Sequence, residues 1–365
     1  MNIRITILAI VLLPPLVSLH AADAANFSPE RLQKYLKQYP DADANKDGTL
    51  SLEEARAYLL KLRGGKSADT AAPAASEPKL PPTFADVHYG PHERNVLDFW
   101  KAKSDQPTPV VVFIHGGGFV AGDKSKAGGA ANIKPYLDAG VSFAAINYRY
   151  RTSAPIQDVL HDCARAIQFI RSKAGEWNVD KTRFAAHGGS AGAGTSLWLA
   201  FHNDMADPKN ADPVLRESTR LVCAAAASTQ FSYDILRWPA LLGEDNAKKY
   251  GDGKDAPAMY GLKTDEELAG PIGQKLRADC DMLGVISRDD PPVFVSVTRD
   301  AGPVANRGDY LHHPKHSQAI YDRCRELGVT VVAEIPGLGI KPPAEGPTKQ
   351  REFLLKYLKM PAAKN

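Results

Sequence analysis

The sequence predicts an α/β domain in which a mainly parallel sheet carries helices on both faces. From about residue 83 to residue 360, short β-branched apolar runs alternate with segments whose apolar residues recur at helical spacing. Two glycine-rich motifs each follow one of these runs, where a buried strand would turn into the next segment. The length of 365 residues, with 44% hydrophobic and 24% charged residues, suits one large domain and a small additional module.

The N-terminus has the composition of a secretory signal peptide. Arg4 precedes an apolar run from Ile5 to Leu19, and small residues follow from Ala21 onwards. We therefore predict a cleaved signal over residues 1–24 and a periplasmic or extracellular protein. An uncleaved anchor is disfavoured, because the run contains Pro14-Pro15 and a spanning helix needs ~20 apolar residues. No stable membrane span is expected.

Charge and cysteine content exclude some classes of partner and leave others open. The formal net charge is +3 and no basic run is present, so nucleic acid is not an expected partner. The four cysteines show no metal-ligand spacing; they are Cys163, Cys223, Cys280 and Cys324. An exported protein can oxidise such residues, and buried free thiols are the alternative. The sequence does not indicate an oligomeric state.

A small helix-loop-helix module is predicted over residues 27–63. Its loop, residues 43–54, fits a twelve-residue calcium template, with Gly48 at the sharp turn. The expected oxygen ligands to Ca²⁺ are Asp43, Asn45, Asp47, Thr49, Ser51 and Glu54. The alternative is an acidic loop that matches by chance. The segment resembles the EF-hand family, whose members usually pair two such loops, whereas one is recognisable here.

Residues 64–82 are rich in Ala, Pro, Gly and Ser and predict a flexible linker. The domain from 83 to 360 follows. We predict its strands at Pro109–Ile114, Val141–Ile146, Thr182–Ala186, Leu221–Ala227, Pro292–Val297 and Val329–Ile335. We predict its helices at Ile156–Lys173, Ala191–His202, about 315–327 and about 348–359. The stretch from 228 to 290 is less regular and could hold a cap or a substrate-facing insertion.

The second glycine-rich motif reads Gly188-Gly189-Ser190-Ala191-Gly192 and joins a predicted strand to a predicted helix. A serine at such a tight turn is raised above the sheet as a nucleophile, and the glycines avoid a clash with nearby backbone. The amide of Ala191, at the helix start, would point at a substrate oxygen.

The first motif, His115-Gly116-Gly117-Gly118-Phe119, ends an earlier strand. The amides of Gly117 and Gly118 would complete an oxyanion hole with that of Ala191. We interpret His115 as a residue that braces this loop. A glycine-rich structural turn is the alternative for either motif alone, and the two in this order, each after a strand, favour a serine hydrolase.

With these motifs, residues 83–360 resemble the α/β-hydrolase fold. More narrowly, they are similar to carboxylesterases of the hormone-sensitive-lipase type and to polysaccharide-deacylating esterases, chiefly through residues 115–124 and 184–194. The resemblance implies a Ser-Asp-His triad in that chain order, with Ser190 as nucleophile. It also implies a carboxylic ester as substrate, small or linked to a polysaccharide, and no cofactor for the hydrolytic chemistry.

The triad acid is expected after the strand that ends near Val297. Asp300 stands directly at that strand end, and Asp309 stands about eight residues before the next helix, the spacing usual in the family. Asp309 is our prediction, and Asp300 remains the alternative.

The triad histidine is missing from its usual place, because the loop after the last strand reads Pro336-Gly337-Leu338-Gly339-Ile340. Without an imidazole Ser190 would have no base. One of three loop histidines, His312, His313 or His316, could substitute. Two functions therefore stay open: a serine esterase with impaired activity, or a non-catalytic binding protein with a calcium-binding segment. A calcium module that acts in docking, with the hydrolase as passenger, ranks last.

Overall fold

A computed structural model describes residues 36, 37, 39–51, 54, 58 and 80–359, without the side chain of Lys254. The chain divides into two compact units, residues 1–75 and residues 76–365. The predicted signal peptide and residues 64–79 of the predicted linker lie outside the described residues.

The larger unit is built on one eight-stranded sheet. Its strands are β1 (Phe84–His88), β2 (Val96–Trp100), β3 (Thr108–Ile114), β4 (Ser142–Ile146), β5 (Val179–Gly189), β6 (Cys223–Ala227), β7 (Val293–Ser296) and β8 (Val331–Glu334). Their order in the sheet is β1-β2-β4-β3-β5-β6-β7-β8. β1 and β2 pair antiparallel, as do β2 and β4, and the other neighbours are parallel. The predicted fold class is confirmed.

Helices connect the strands. Within residues 80–359 they are α1 (Ala130–Asp138), α2 (Ile156–Ser172), α3 (Ala174–Trp177), α4 (Ala191–Phe201), α5 (Trp238–Leu242), α6 (Glu244–Tyr250), α7 (Ala256–Met259), α8 (Asp265–Ala269), α9 (Pro271–Asp279), α10 (Met282–Val285), α11 (Arg307–Leu311), α12 (Pro314–Leu327) and α13 (Gln350–Lys359). The irregular stretch from 228 to 290 thus contains six short helices, α5 to α10.

Alternation along the central strands divides the core into two layers. On β3, Val110, Val112 and Ile114 pack into one cluster with α2 and α4, whereas Val111 packs into the other cluster with α1 and α13. Every residue of α4 is buried, and its small residues let it lie close against β5 and β6. This helix places its N-terminus at the carboxyl end of β5, where Ser190 lies.

The four cysteines are free and buried. Cys163 lies on α2, Cys223 on β6 and Cys324 on α12. No described helix has the length and apolar content needed to cross a bilayer.

The described part of the small unit is centred on the predicted calcium loop. Ala42 and Leu50 are buried there and pack with Leu36, Tyr39 and Tyr58. Lys46 and Gly48 adopt positive φ, +57° and +79°, which turns the loop sharply at the position predicted for the glycine.

Candidate active site

Ser190 occupies a strained turn between β5 and α4. Its φ is +54° and its ψ is −121°, a region that non-glycine residues rarely adopt. A Cβ added to Gly188 or Gly192 would overlap the carbonyl oxygen of Ile114. The glycines therefore let the turn pass close to β3, and the serine is held at the edge of the sheet as the motif predicts.

The glycine loop after β3 runs against this turn. Gly117, Gly118 and Phe119 have positive φ of +119°, +61° and +62°, and the amides of Val120 and Ala121 both donate to the Gly117 carbonyl at 3.1 Å. A Cβ on Gly116 would lie 3.4 Å from that of Ser190. Within residues 80–359, no hydrogen bond occupies the amides of Gly117, Gly118 or Ala191. The three predicted oxyanion donors are therefore free to bind a ligand oxygen.

His115 braces the glycine loop. Its ring stacks on Tyr148 with centroids 4.1 Å apart, and the Tyr148 hydroxyl donates to the His115 carbonyl at 2.6 Å. Nδ1 lies 2.8 Å from the Gly116 carbonyl oxygen. Burial, with a smaller effect from the Arg94 cation, lowers the pKa of His115 to about 4. The residue is neutral at pH 7 and is held by the loop.

A different histidine faces the serine. His312 Nε2 lies 3.4 Å from Ser190 Oγ, and His312 Nδ1 lies 3.0 Å from the backbone carbonyl oxygen of Ser228. A carbonyl only accepts, so Nδ1 must carry the proton and Nε2 presents its lone pair to the serine. The 3.4 Å separation is long, which is common for catalytic pairs in the absence of substrate.

Two neighbours fix the position of this imidazole. Ser228, directly after β6, has φ +53°, and its amide donates to the Ser296 carbonyl at 2.6 Å. This strained conformation turns its own carbonyl toward His312. Gln230 Nε2 donates to the Leu311 carbonyl at 2.8 Å and so holds the backbone directly before His312. Its 3.3 Å approach to His312 Nδ1 is not a hydrogen bond, because both nitrogens carry protons in this tautomer.

Burial lowers the pKa of His312, the Ser228 carbonyl partly offsets that effect, and the Arg299 cation lowers the pKa further. The imidazole is therefore neutral at pH 7, the form that can accept a proton from Ser190.

The other two loop histidines have structural contacts. His313 caps α12, with Nδ1 accepting from the Lys315 amide at 3.2 Å and Nε2 3.1 Å from the Gly302 carbonyl. His316 is fully buried with Nε2 3.0 Å from the Tyr310 carbonyl, and burial lowers its pKa to about 3. Of the three candidates, the structure brings His312 to Ser190.

The two predicted acids do not stand behind this histidine. The Asp309 carboxylate forms an ion pair with Arg299 and accepts from the Ala305 amide at 3.2 Å and from Asn306 Nδ2 at 2.7 Å. Within residues 80–359, neither Asp309 nor exposed Asp300 forms a hydrogen bond with His312. The prediction of an acid from spacing therefore has to be corrected: Asp309 anchors α11, and a backbone carbonyl occupies the acid's place.

Ile340 lies where the usual histidine was expected. It pairs with Ile335 through backbone hydrogen bonds of 2.8 and 3.2 Å and packs, half-buried, against the core. Nothing polar replaces the imidazole at this position of the chain.

Ser190 and His312 open onto a cavity of about 470 Å³. Its lining residues are Gly189, Ser190, Ala227, Ser228, Thr298, Arg299 and His312. A larger cavity of about 650 Å³, lined by residues of α2 and of the segment 205–215, includes neither Ser190 nor His312. The smaller cavity is the one that the reactive side chains share.

The chain is similar to known esterases in part of its length. The BD-FAE family model matches residues 97–237. A probable isoprenylcysteine alpha-carbonyl methylesterase of Oryza sativa subsp. japonica is 33% identical over 108 residues, 29% of this chain and 26% of that protein. A probable carboxylic ester hydrolase, LipM, of Mycobacterium tuberculosis is 27% identical over 260 residues, 69% of this chain and 54% of that protein. The chain thus spans about a quarter and about half of these two relatives.

The solved structure of a truncated carbohydrate esterase from gut microbiota matches with a TM-score of 0.54 and 17% identity, over 73% of this chain and 90% of that one. With the topology described above, this match places the larger unit in the α/β-hydrolase fold.

Proposed function

We propose that this protein is a serine-dependent hydrolase of carboxylic esters in which Ser190 and His312 form the catalytic pair. The observation that carries the proposal is the approach of His312 Nε2 to Ser190 Oγ, with the other ring nitrogen on the Ser228 carbonyl. The free amides of the glycine loop and of Ala191 support it, and so do the esterases among the similar proteins.

The reaction then follows acyl transfer through a covalent intermediate. Ser190 Oγ attacks the ester carbonyl while His312 Nε2 takes the hydroxyl proton. The oxyanion that forms is bound by the amides of Gly117, Gly118 and Ala191. His312 returns the proton to the leaving alcohol, and a water activated by the same imidazole releases the acid and regenerates Ser190.

The substrate proposed for this site is a short acyl group on a sugar or sugar polymer. This follows from the cavity beside Ser190, whose lining includes the polar residues Ser228, Thr298 and Arg299, and from the carbohydrate esterase among the structurally similar proteins. We also propose export of the protein, on the composition of its first 24 residues.

The test of the catalytic pair is turnover of 4-nitrophenyl acetate by the full chain. Ser190→Ala is expected to abolish most of the activity, and His312→Ala to lower kcat by about 10²–10⁴-fold, the usual contribution of a general base. His313→Asn is the matched control, because it removes an adjacent imidazole and keeps an acceptor for the α12 cap. Activity that survives both main substitutions would be adventitious and would contradict the catalytic pair.

Calcium binding by the loop over residues 43–54 is a second proposal. Glu54, the last ligand position, turns back across the loop and accepts from the Asn45 amide at 3.2 Å and from the Ser51 amide at 3.0 Å. Asp47 accepts from the Thr49 hydroxyl at 2.6 Å. Hydrogen bonds from the Thr49 hydroxyl and amide lower the pKa of Asp47, and those from the Ser51 hydroxyl and amide lower the pKa of Glu54, so both are ionised at neutral pH.

The donors are the hard oxygens that Ca²⁺ prefers, drawn from side chains and from the Thr49 backbone. No group of three or more His, Cys, Asp or Glu side chains among the described residues is arranged to hold a metal ion. Carbonyl and amide oxygens, and closure of the loop on the ion, must therefore supply the rest of the coordination.

Calorimetric titration of the metal-free protein with Ca²⁺ tests this proposal. One ion is expected to bind, and Glu54→Gln, which removes the bidentate carboxylate, is expected to weaken binding strongly. The same titration with Glu176→Gln, an exposed carboxylate on α3, is the control. If the wild-type protein gives no heat of binding at millimolar Ca²⁺, the proposal of calcium binding by this loop is wrong.

A further inference from the structure

Arg299 is a cation on the wall of the proposed active-site cavity. It follows β7 and lines the cavity together with Ser190, Ser228 and His312. It is the sole charged side chain among the cavity's described lining residues apart from the titratable His312, and no carboxylate lines that wall. The reaction proposed above uses no cation, so this residue has no role in it so far.

The Arg299 guanidinium is held in place by one ion pair, and several of its N–H donors have no partner among residues 80–359. Its Nη1 pairs with Asp309, and Asp309 is itself fixed by the Ala305 amide and the Asn306 side chain. Among residues 80–359, this carboxylate is the one hydrogen-bond partner of the Arg299 side chain. A guanidinium has five N–H donors in a rigid fork, so several remain for another anion. The Arg299 side chain is 41% exposed, which leaves it open to a ligand.

The position of the cavity indicates which part of an ester would meet this cation. His312 lines it, whereas residues 116–119 of the oxyanion loop do not. The imidazole returns its proton to the leaving alcohol, so the alcohol must lie on the His312 side of the scissile bond. Arg299 on the same wall therefore faces the alcohol part of the substrate.

We propose that Arg299 is a specificity residue that selects esters whose alcohol part carries a carboxylate, such as an acylated acidic sugar. A carboxylate matches the planar fork of the guanidinium, and its charge is not opposed by any lining side chain. The proposal rests on the ester hydrolysis proposed above, and it narrows the substrate class from sugar esters to acidic ones.

A matched pair of aryl acetates tests the selectivity. The probes are 3-acetoxybenzoate and its neutral isostere 3-acetoxybenzamide, which share the acetyl group and the ring. The ratio of kcat/KM for the anionic over the neutral ester is expected to exceed one in the wild type. Arg299→Gln is expected to lower this ratio about tenfold, the scale of one partly exposed charge-assisted hydrogen bond.

Two further variants separate charge selection from support of the loop. Arg299→Lys keeps the charge and is expected to retain part of the preference. Arg307→Gln removes a nearby arginine that pairs with Asp252 outside the cavity and is expected to leave the ratio unchanged. A ratio that is the same in the wild type and in Arg299→Gln overturns the proposal.

Binding to Ser190→Ala gives a readout that does not need turnover. Calorimetry is expected to show tighter binding of 3-acetoxybenzoate than of the amide, and this difference is expected to disappear in Ser190→Ala/Arg299→Gln. If binding shows the preference and the wild type hydrolyses neither ester, the catalytic proposal fails and the anion site stands. If both esters are hydrolysed and neither kinetics nor binding shows a preference, the role of Arg299 is contradicted and the proposed ester hydrolysis stands.

Discussion

The group behind the His312 imidazole is a peptide carbonyl, where the predicted triad has a carboxylate. A carbonyl selects the same tautomer, because it accepts from Nδ1–H as a carboxylate would. It carries no full charge, so it stabilises the imidazolium formed during acyl transfer less than a carboxylate does. In the proposed mechanism, His312 is therefore a correctly oriented base of modest strength.

The acidic limb of the pH–rate profile follows from this environment. The proposed base works when His312 is neutral, and its pKa lies below the usual 6.5, so kcat/KM should rise with pH along a limb whose midpoint lies below pH 6.5. Arg299→Gln removes a nearby cation that disfavours the imidazolium, so it should move the limb to higher pH. Profiles of wild type and Arg299→Gln between pH 4.5 and 8 measure this, with Arg307→Gln as control. A limb whose midpoint lies at or above pH 6.5 in the wild type would contradict the lowered pKa of His312.

The turn that carries Ser190 was predictable from sequence, and the groups that surround its hydroxyl were not. Ser190 is specified locally, because the glycines two residues on either side are needed for the turn to pass Ile114. His312 was one of three candidates, since sequence does not show which imidazole of a loop faces inward. Asp309 was chosen by its distance from the next helix, and that spacing carries no information about its ion pair with Arg299. A backbone acceptor such as the Ser228 carbonyl leaves no residue-type signal at all.

Among the elements, the glycine loop after β3 is the most constrained by its backbone. Gly117 has φ +119°, and an added Cβ would overlap the Ala121 carbonyl. Gly118 has φ +61° and open space where its Cβ would lie. A side chain at position 117 would displace the loop. A side chain at position 118 would cost mainly the strain of a left-handed backbone.

Alanine at these two positions should therefore have unequal effects. Gly117→Ala is expected to displace oxyanion donors and raise the barrier to hydrolysis by ~3 kcal/mol or more, as loss of such a donor does elsewhere. Gly118→Ala is expected to cost ~1–2 kcal/mol, the strain of a left-handed non-glycine residue. Kinetics with 4-nitrophenyl acetate and thermal unfolding of both variants measure this. Equal, small losses of kcat/KM would exclude these amides as the oxyanion hole.

The parallel strands were easier to predict than the antiparallel ones. β3 to β8 overlap the predicted strands, because buried parallel strands read as continuous apolar runs. β1 and β2 were not predicted individually. β1 lies at the sheet edge and its residues are exposed or half-buried, and β2 carries Asp98, which pairs with Lys124. Neither sequence pattern distinguishes a strand from a loop.

At the scale of the whole molecule, one carboxyl couples stability to pH. The Asp290 side chain is 1% exposed, its Oδ1 lacks a hydrogen-bond partner in the described structure, and Arg220 is 3.8 Å away. Burial raises the pKa of Asp290 to about 6 from 3.8. The folded state therefore holds a proton that the unfolded chain has released, and this contribution to stability is lost as pH rises from about 4 to 6.

Asp290→Asn should consequently stabilise the protein above pH 6 and change little near pH 4. The expected gain in the free energy of unfolding at pH 7–8 is roughly 1–2 kcal/mol, after allowing for the unpaired amide. Thermal unfolding from pH 4 to 8 measures it, with Asp289→Asn, on an exposed neighbour, as the control. A variant that is equally destabilised at every pH would refute the coupling.

The cysteines give a second test of the whole fold. Because all four are free and buried, a thiol reagent should label none rapidly in the native protein and four after denaturation. The midpoint of thermal unfolding should not depend on added reductant. Fewer than four labelled thiols in the denatured protein would indicate a disulfide that this fold does not contain.

The Ser228 carbonyl has a consequence for how this site tolerates mutation. A carboxylate can be lost through a single codon change, whereas position 228 keeps a peptide oxygen whichever amino acid is encoded there. A residue that cannot adopt φ +53°, such as proline, is the exception, because it would turn that oxygen away from His312. The peptide oxygen also has no proton to gain, so acid cannot switch off the orientation of His312 by neutralising its partner. Saturation mutagenesis should accordingly find no indispensable aspartate or glutamate, and its intolerant side chains should concentrate at positions 190 and 312. The main chain thus orients the imidazole, a role for which the predicted triad uses an encoded acidic side chain.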